Sequence, residues 1–191
     1  MSERQALRRN FRAKRRALSR ELQKQHALAI TRILTNSDEM LRSQRIGLYL
    51  ANDGEVDLTP LANELANRKK QLALPVVGQR REMDFYRYQP GDKLLPNRFG
   101  IPEPAPGASF VEGRSLDLLL IPLVAFDAAG TRLGMGAGYY DRYLGRLEPH
   151  MRPRTIGVAY SIQRSEKPLP AEPWDIPLDR VVTEAGWQRG D

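Results

Sequence analysis

Apolar and polar positions along this chain change period several times. Residues 3–34 are spaced as helix. Leu7, Phe11, Leu18 and Leu22 fall near one face, while Arg4, Arg8, Arg12 and Arg16 recur every four residues on another. Neither Gly nor Pro interrupts this region, and Ser19 is placed to cap a second helix that runs to about Leu34. Beyond it, strand and helix patterns alternate. "RIGLYLA" (45–51) predicts a strand, and "TPLANELANRKK" (59–70) predicts a helix with Thr59 as its cap and Pro60 at the first helical position. "QLALPVV" (71–77) is a second strand, and "MDFYRY" (83–88) alternates as an edge or antiparallel one does. "DLLLIPLVAF" (117–126) is apolar on both faces, as a central parallel strand is. "YYDRYLGRL" (139–147) predicts a helix, "TIGVAY" (155–160) a strand, and "RVVTEAG" (180–186) the last strand. The order predicts an α/β fold of three layers, with helices on both faces of a mostly parallel central sheet.

Composition narrows the function classes. The 191 residues suffice for one domain with a real core, so 1–191 is read as a single domain with a basic helical segment, 1–35, packed on it. There is no Cys and there are only two His, His26 and His150, which argues against thiolate or His-rich metal sites. No apolar run is long enough to span a membrane, and the basic start lacks the apolar stretch of a secretory signal. A cytoplasmic protein, monomeric and free of membrane, is the expectation.

The net charge of +7 belongs wholly to the first 20 residues, where eight basic side chains face one acid, Glu3. Three readings are open. The helix carries a solvated basic face; it binds a phosphate backbone; or it delivers one or two arginines to a bound nucleotide. Phe11 is the only aromatic in the segment and fits the apolar face, which weakens the nucleic-acid reading.

Two long Pro/Gly-rich stretches, 89–110 and 163–179, hold nine of the fourteen prolines. Loops of that length in a compact domain are more often functional than short ones. Between them, "GTRLGMGAGYYDRYL" (130–144) follows the most apolar strand and opens a helix. Glycines there let backbone N–H groups approach an anion, and in open α/β sheets ligands bind beyond the carboxyl ends of the strands. The spacing fits neither a Walker A loop nor a dinucleotide fingerprint. On glycine pattern alone, a phosphate cradle and a tight turn are equally good readings. Asp141, one turn into the helix, either holds Mg²⁺ beside such a cradle or serves as a first-turn charge or a partner for Arg142 or Arg146.

"LVAFDAAGTRLGMGAGYYDRYL" closely resembles the signature of the 5-formyltetrahydrofolate cyclo-ligase family, also called 5,10-methenyltetrahydrofolate synthetase. "EVDLTPL" (55–61), "ALPVV" (73–77), "MDFYRY", "GIPEP" (100–104) and "LPAEPWDIPLDRVVT" (169–183) follow in the family's order, so the resemblance covers nearly the whole chain. It implies a scaffold similar to that of sugar-phosphate isomerases and CoA transferases. Arg132, Leu133, Gly134, Met135, Gly136, Ala137, Gly138, Tyr139 and Tyr140 resemble the family's ATP-phosphate loop, with Arg132 and Tyr140 as the implied catalytic side chains. Arg4 and Arg8 resemble its N-terminal nucleotide contact. Asp141 and Asp175 match its Mg²⁺ positions. Glu55 and Leu50 match folate-contacting positions, Phe99 an aromatic that packs on the folate, and residues 135–139 the place where nucleotide and formyl group meet. Ala137 departs from the Gly or Lys of many relatives, and Leu58 from a common Thr. The implied reaction is ATP- and Mg²⁺-dependent closure of 5-formyltetrahydrofolate to 5,10-methenyltetrahydrofolate. A nucleic-acid-binding protein and an isomerase or transferase working without ATP are the competing readings; the glycine loop and the two aspartates favour the nucleotide.

Overall fold

The computed structural model describes residues 2–189. Helices α1 (Glu3–Arg16), α2 (Arg20–Thr35) and α3 (Asp38–Arg42) open the chain, each begun by a serine. The Ser2 and Gln5 side chains cap one another's backbone, and Ser19 and Ser37 accept from Leu22 N and Met40 N. Then come β1 (Arg45–Gly47), α4 (Thr59–Asn67), β2 (Gln71–Val77) and β3 (Met83–Tyr88). A small hairpin, β4 (Leu94–Pro96) with β5 (Pro102–Pro104), precedes β6 (Phe110–Val111) and β7 (Leu118–Pro122). A second hairpin pairs β8 (Ala125–Phe126) with β9 (Arg132–Leu133) and leads into α5 (Tyr139–Gly145). β10 (Arg154–Val158), β11 (Arg180–Thr183) and β12 (Gly186–Arg189) finish the fold.

The main sheet has eight strands in the order β12-β11-β10-β7-β1-β2-β3-β6. β11, β10, β7, β1 and β2 run parallel, and β12, β3 and β6 are antiparallel additions. Alternation along β7 divides the core. Leu118 and Leu120 face a cluster with Ile30 and Leu34 of α2 and Leu61 and Leu65 of α4. Leu119 and Ile121 face a second cluster with Phe85 of β3 and Tyr143 and Leu144 of α5. Three layers result. A third, smaller cluster seats α1, through Phe11 and Leu7, on the β8–β9 hairpin at Val124, Ala125 and Leu133 and on Leu169 of the second proline-rich stretch. The basic helix is therefore fixed to the segment that carries the glycines.

Several predicted elements end elsewhere. The strand expected over 117–126 breaks after Pro122, because the Leu123 carbonyl accepts from Arg15 Nη1 and Gln163 Nε2 instead of a neighbouring strand. The strand expected over 45–51 stops at Gly47; Tyr49 turns inward and its hydroxyl donates to Val56 O at 3.0 Å. Thr59 is not the cap of α4. It is the first helical residue, and its N–H and hydroxyl both donate to Asp57 Oδ1. The segment 180–186 is not the last strand, since β12 follows and pairs with β11.

Candidate active site

Going outward from β1, the chain places β2 on one side and β7, β10 and β11 on the other, so strand order changes direction at the β1/β7 border. Such a switch point opens a crevice at the carboxyl ends of the strands. Here it is a cavity of about 980 Å³, floored by Tyr49 and Leu50 after β1, Leu74 and Pro75 of β2, and Pro122 at the end of β7 with Leu123 after it. One wall is the loop 134–138. Gly136 and Gly138 hold φ of 102° and 66°, values a side chain rarely adopts. A Cβ on Gly136 would also come within 3.3 Å of Arg8 Cζ. Arg8 reaches over from α1, and its Nε donates to Gly134 O at 2.8 Å. Burial, and then the nearby Arg4 charge, lower its pKa from the usual guanidinium value.

The predicted site residues gather on this cavity with one exception. Arg4, Arg8, Leu50, Glu55, Phe99, Arg132, Asp141, Asp175 and residues 134–140 all line it. Leu133 does not: its side chain is fully buried in the core between α1 and the hairpin. Alternation on β9 sends Arg132 toward the cavity and Leu133 away from it.

The arginine face of α1 is not solvated as a whole. Arg4 Nη1 donates to Asp175 Oδ2 at 2.9 Å, and Arg12 Nε to Asp53 Oδ2 at 2.8 Å. Arg16 binds the other oxygen of Asp53. Arg15, which the fourfold arginine repeat passes over, is wholly buried and bonds to Asp53 O, Asp53 Oδ2 and Leu123 O. Asp53 thus sits among three guanidinium groups at φ 55°. Burial alone would raise its pKa, but the hydrogen bonds from Arg12 and Arg16 prevail and hold it at about 2.

Glu55 is the contrasting acid. Its side chain is 12% exposed, Arg15 Nη1 lies 3.9 Å away, and Asn52 N donates to it at 3.1 Å. Burial outweighs both and pushes its pKa up to about 7. Tyr140 is also shifted upward, by burial and then by Glu55, so its phenol stays neutral. Arg132 bonds Asp141 Oδ1 and Ile176 O, and Ile176 N donates to the same Asp141 oxygen at 3.1 Å. Asp175 Oδ2 accepts from Arg4 and from Glu172 N. Each of the two aspartates keeps its second oxygen free of hydrogen bonds among the described residues.

Sequence reading missed the groups that brace this cavity. Arg98 Nη2 donates to Tyr139 OH at 2.9 Å and Gly78 O at 3.0 Å, and its guanidinium stacks 5.0 Å from the Phe99 ring. Glu103 accepts from Val77 N and Asn97 Nδ2, which fixes the β4–β5 hairpin against the end of β2. Arg142, read from sequence as a candidate partner of Asp141, instead reaches Ala137 O and Arg81 O, while Asp141 pairs with Arg132. Only the proline-rich composition of 89–110 pointed to Arg98 and Glu103.

A bare-backbone loop and a buried carboxylate lining one crevice of this size make a small-molecule site in an α/β protein. The family model for 5-formyltetrahydrofolate cyclo-ligases matches residues 1–184. The Escherichia coli (strain K12) 5-formyltetrahydrofolate cyclo-ligase is 40% identical over 177 residues, 91% of this chain and 96% of that protein. The NMR structure of Aquifex aeolicus 5,10-methenyltetrahydrofolate synthetase superposes with a TM-score of 0.85 at 39% identity, covering 98% of this chain and 93% of that one. The Mycoplasma pneumoniae 5,10-methenyltetrahydrofolate synthetase gives 0.77 at 28% identity, covering 96% and 99%. This chain belongs to the 5-formyltetrahydrofolate cyclo-ligase family, and it is an enzyme.

Proposed function

We propose that this cavity is where the chain closes 5-formyltetrahydrofolate to 5,10-methenyltetrahydrofolate, using ATP. The observation that carries the reading is the family match across residues 1–184, joined to one cavity that holds both the glycine loop and Glu55. The formyl group on nitrogen 5 is an amide, and its oxygen leaves poorly. That oxygen attacks the γ-phosphorus of ATP, an O–P bond forms, and the bond to ADP breaks. Nitrogen 10 then adds to the activated carbon and loses its proton, and phosphate departs with the former formyl oxygen. Neither step demands a strong base; both demand alignment and neutralised charge.

The chain's own groups have distinct parts in this. Backbone N–H groups of 134–138, with Arg8 above them, hold the phosphates. Tyr140, neutral and without a hydrogen-bond partner among the described residues, donates to the transferring group. Arg132, buried and fixed by Asp141, keeps a positive charge beside it. Glu55 accepts pterin N–H bonds while Leu50 and Phe99 cover apolar surface. The free oxygens of Asp141 and Asp175 are the hard donors that suit Mg²⁺, which takes one or two carboxylates plus ligand phosphates. Bound there, the ion would offset the phosphate charge. Incubation with 5-formyltetrahydrofolate and Mg-ATP tests the reading; no rise in the near-ultraviolet methenyl absorbance from folded protein sinks it.

Glu55 makes the folate step pH-dependent. A carboxyl accepts two N–H bonds, and accepts them strongly, only when ionised, and burial pushes the pKa of Glu55 up to about 7 in the free protein. The folate KM should therefore fall as pH rises through about 7 and then level off. Glu55→Gln should raise that KM roughly ten- to hundredfold at pH 8, the worth of a charge-assisted hydrogen bond, flatten the pH profile, and leave the ATP KM nearly unchanged. Stability runs the other way. The folded protein holds a proton on Glu55 that the unfolded chain has lost, between its usual value of 4.5 and about 7, so folding weakens as pH rises through that window. Glu55→Gln should accordingly raise the Tm at pH 8. Equal shifts in both KM values, with a lower Tm, would make Glu55 a structural acid instead.

Arg8→Ala should weaken Mg-ATP binding by roughly 1.5–3 kcal/mol, whereas Arg9, exposed on the next face of α1, should matter little. Titrations with Mg-ATP, and separately with a short DNA duplex at two salt concentrations, check this. Equal small losses at Arg8, Arg9 and Arg16, with tight salt-sensitive duplex binding, would point to nucleic acid.

A further inference from the structure

Trp174 is 67% exposed, the most exposed large apolar side chain among the described residues. The chain's other tryptophan, Trp187, is half-buried with the Arg180 guanidinium stacked 3.9 Å from its ring. A tryptophan left so open forfeits the burial that normally accounts for its presence. Yet the backbone beside it is held firmly. Glu172 N donates to Asp175 Oδ2, Asp175 N donates to Glu172 O, Arg4 bridges both acids, and Ile176 N donates to Asp141. The result is a rigid strap that presents an uncovered indole on the rim of the cavity.

Its neighbours say which part of a ligand it would meet. Trp174 adjoins Asp175, Asp175 binds Arg4, and Arg8 next along α1 lies over Gly134 and Gly136. Trp174 therefore belongs to the phosphate end of the cavity. Phe99, on the other proline-rich stretch, stacks on Arg98, which bonds Gly78 O beyond β2 and the Tyr139 hydroxyl at the start of α5. Trp174, Asp175, Arg4, Arg8 and the loop 134–138 all line the one cavity, so a nucleotide with its phosphates on that loop would have this indole beside it for its ring.

We propose that Trp174 stacks on the purine ring of the bound nucleotide and is a determinant of ATP affinity. This rests on the nucleotide reading of the glycine loop. An indole held in place loses little freedom on stacking, and its face accepts any purine, so it supplies affinity more than base selectivity. The contact is remote from the transferring phosphoryl group and is equally present before and during reaction. It lowers KM and leaves kcat alone.

Trp187→Phe leaves Trp174 as the sole indole of the chain. Its fluorescence should be quenched by ADP and by AMP but not by inorganic tripolyphosphate, which has the charge and lacks the ring. Trp174→Ala should raise the ATP KM about tenfold, with kcat within twofold and the folate KM unchanged. Trp174→Phe should restore most of the loss. Equal quenching by tripolyphosphate, or an ATP KM in Trp174→Ala within twofold of wild type, overturns the proposal while the methenyl-forming activity stands. Quenching by 5-formyltetrahydrofolate alone, with only the folate KM raised, overturns it in favour of the folate ring. Quenching by ADP in Trp187→Phe, with no methenyl product from the wild-type protein, upholds Trp174 and removes the cyclo-ligase reading instead.

Discussion

Arg15→Ala is expected to cost the fold about 3–5 kcal/mol, the range for removing one partner of a buried charge pair. Total stabilities of single domains are about 5–15 kcal/mol, so the loss should show as a large drop in Tm and in the urea midpoint. Arg15 has no exposed surface and spends its donors on Asp53 O, Asp53 Oδ2 and Leu123 O. Alanine leaves a cavity and a carboxylate short of one guanidinium, in a turn whose backbone already holds φ 55°. Arg12→Ala is the control. That side chain binds the same Asp53 but is 33% exposed, and its loss should cost about 1 kcal/mol or less. Similar small losses for both variants would show that the burial of Arg15 counts for little. The acid limb gives an independent check. Asp53 is held at about 2, below its usual 3.8, so its contribution is complete above 3.8 and fades as pH falls toward 2. Asp53→Asn should flatten the stability curve over that interval.

The same cluster shows where sequence reading stopped. A helical wheel groups Arg4, Arg8, Arg12 and Arg16, because that is a property of α1 alone. It cannot say that the face is covered, or that Arg15 turns inward, because the covering groups are Asp53, 38 residues on, and Leu123, 108 residues on. β2 and β3 have the expected limits for a local reason. Each is an unbroken run whose end is marked by turn residues within the run's own neighbourhood. β7 has no such mark: only its partners reveal that the apolar run leaves the sheet at Pro122. The candidate site divides in the same way. Residues 132–141 lie together in sequence and were legible together. Trp174, Arg98 and the floor at Tyr49 and Pro122 come from four separate segments, and only the strand order joins them. Leu133 was carried along by its neighbours, because a motif names consecutive residues while a two-residue strand sends them to opposite sides.

Asp141→Asn is expected to cut kcat/KM for ATP by about a hundredfold or more, in the range seen when a preorganised charge-stabilising group is removed. Two roles meet in this carboxylate, and they can be separated. Its Oδ1 accepts from Arg132 and from Ile176 N, which fixes a buried guanidinium and the strap carrying Asp175 in one piece. Its Oδ2 accepts no hydrogen bond among the described residues, and the residue lines the cavity, as a cation ligand requires. Asparagine can still accept from Ile176 N, so the fold should survive, with near-wild-type far-ultraviolet circular dichroism. What it removes is a full negative charge. If that charge holds Mg²⁺, raising the Mg²⁺ concentration should recover part of the rate, and Mn²⁺ in the presence of ADP should bind more weakly by electron paramagnetic resonance. If the charge serves only to fix Arg132, Mn²⁺ affinity should match wild type and added Mg²⁺ should recover nothing. Arg132→Lys would then show a comparable loss, because lysine keeps the charge without the fork that spans Asp141 and Ile176 O. Full activity of Asp141→Asn at limiting Mg²⁺ would remove Asp141 from the reaction altogether and leave it a first-turn charge of α5.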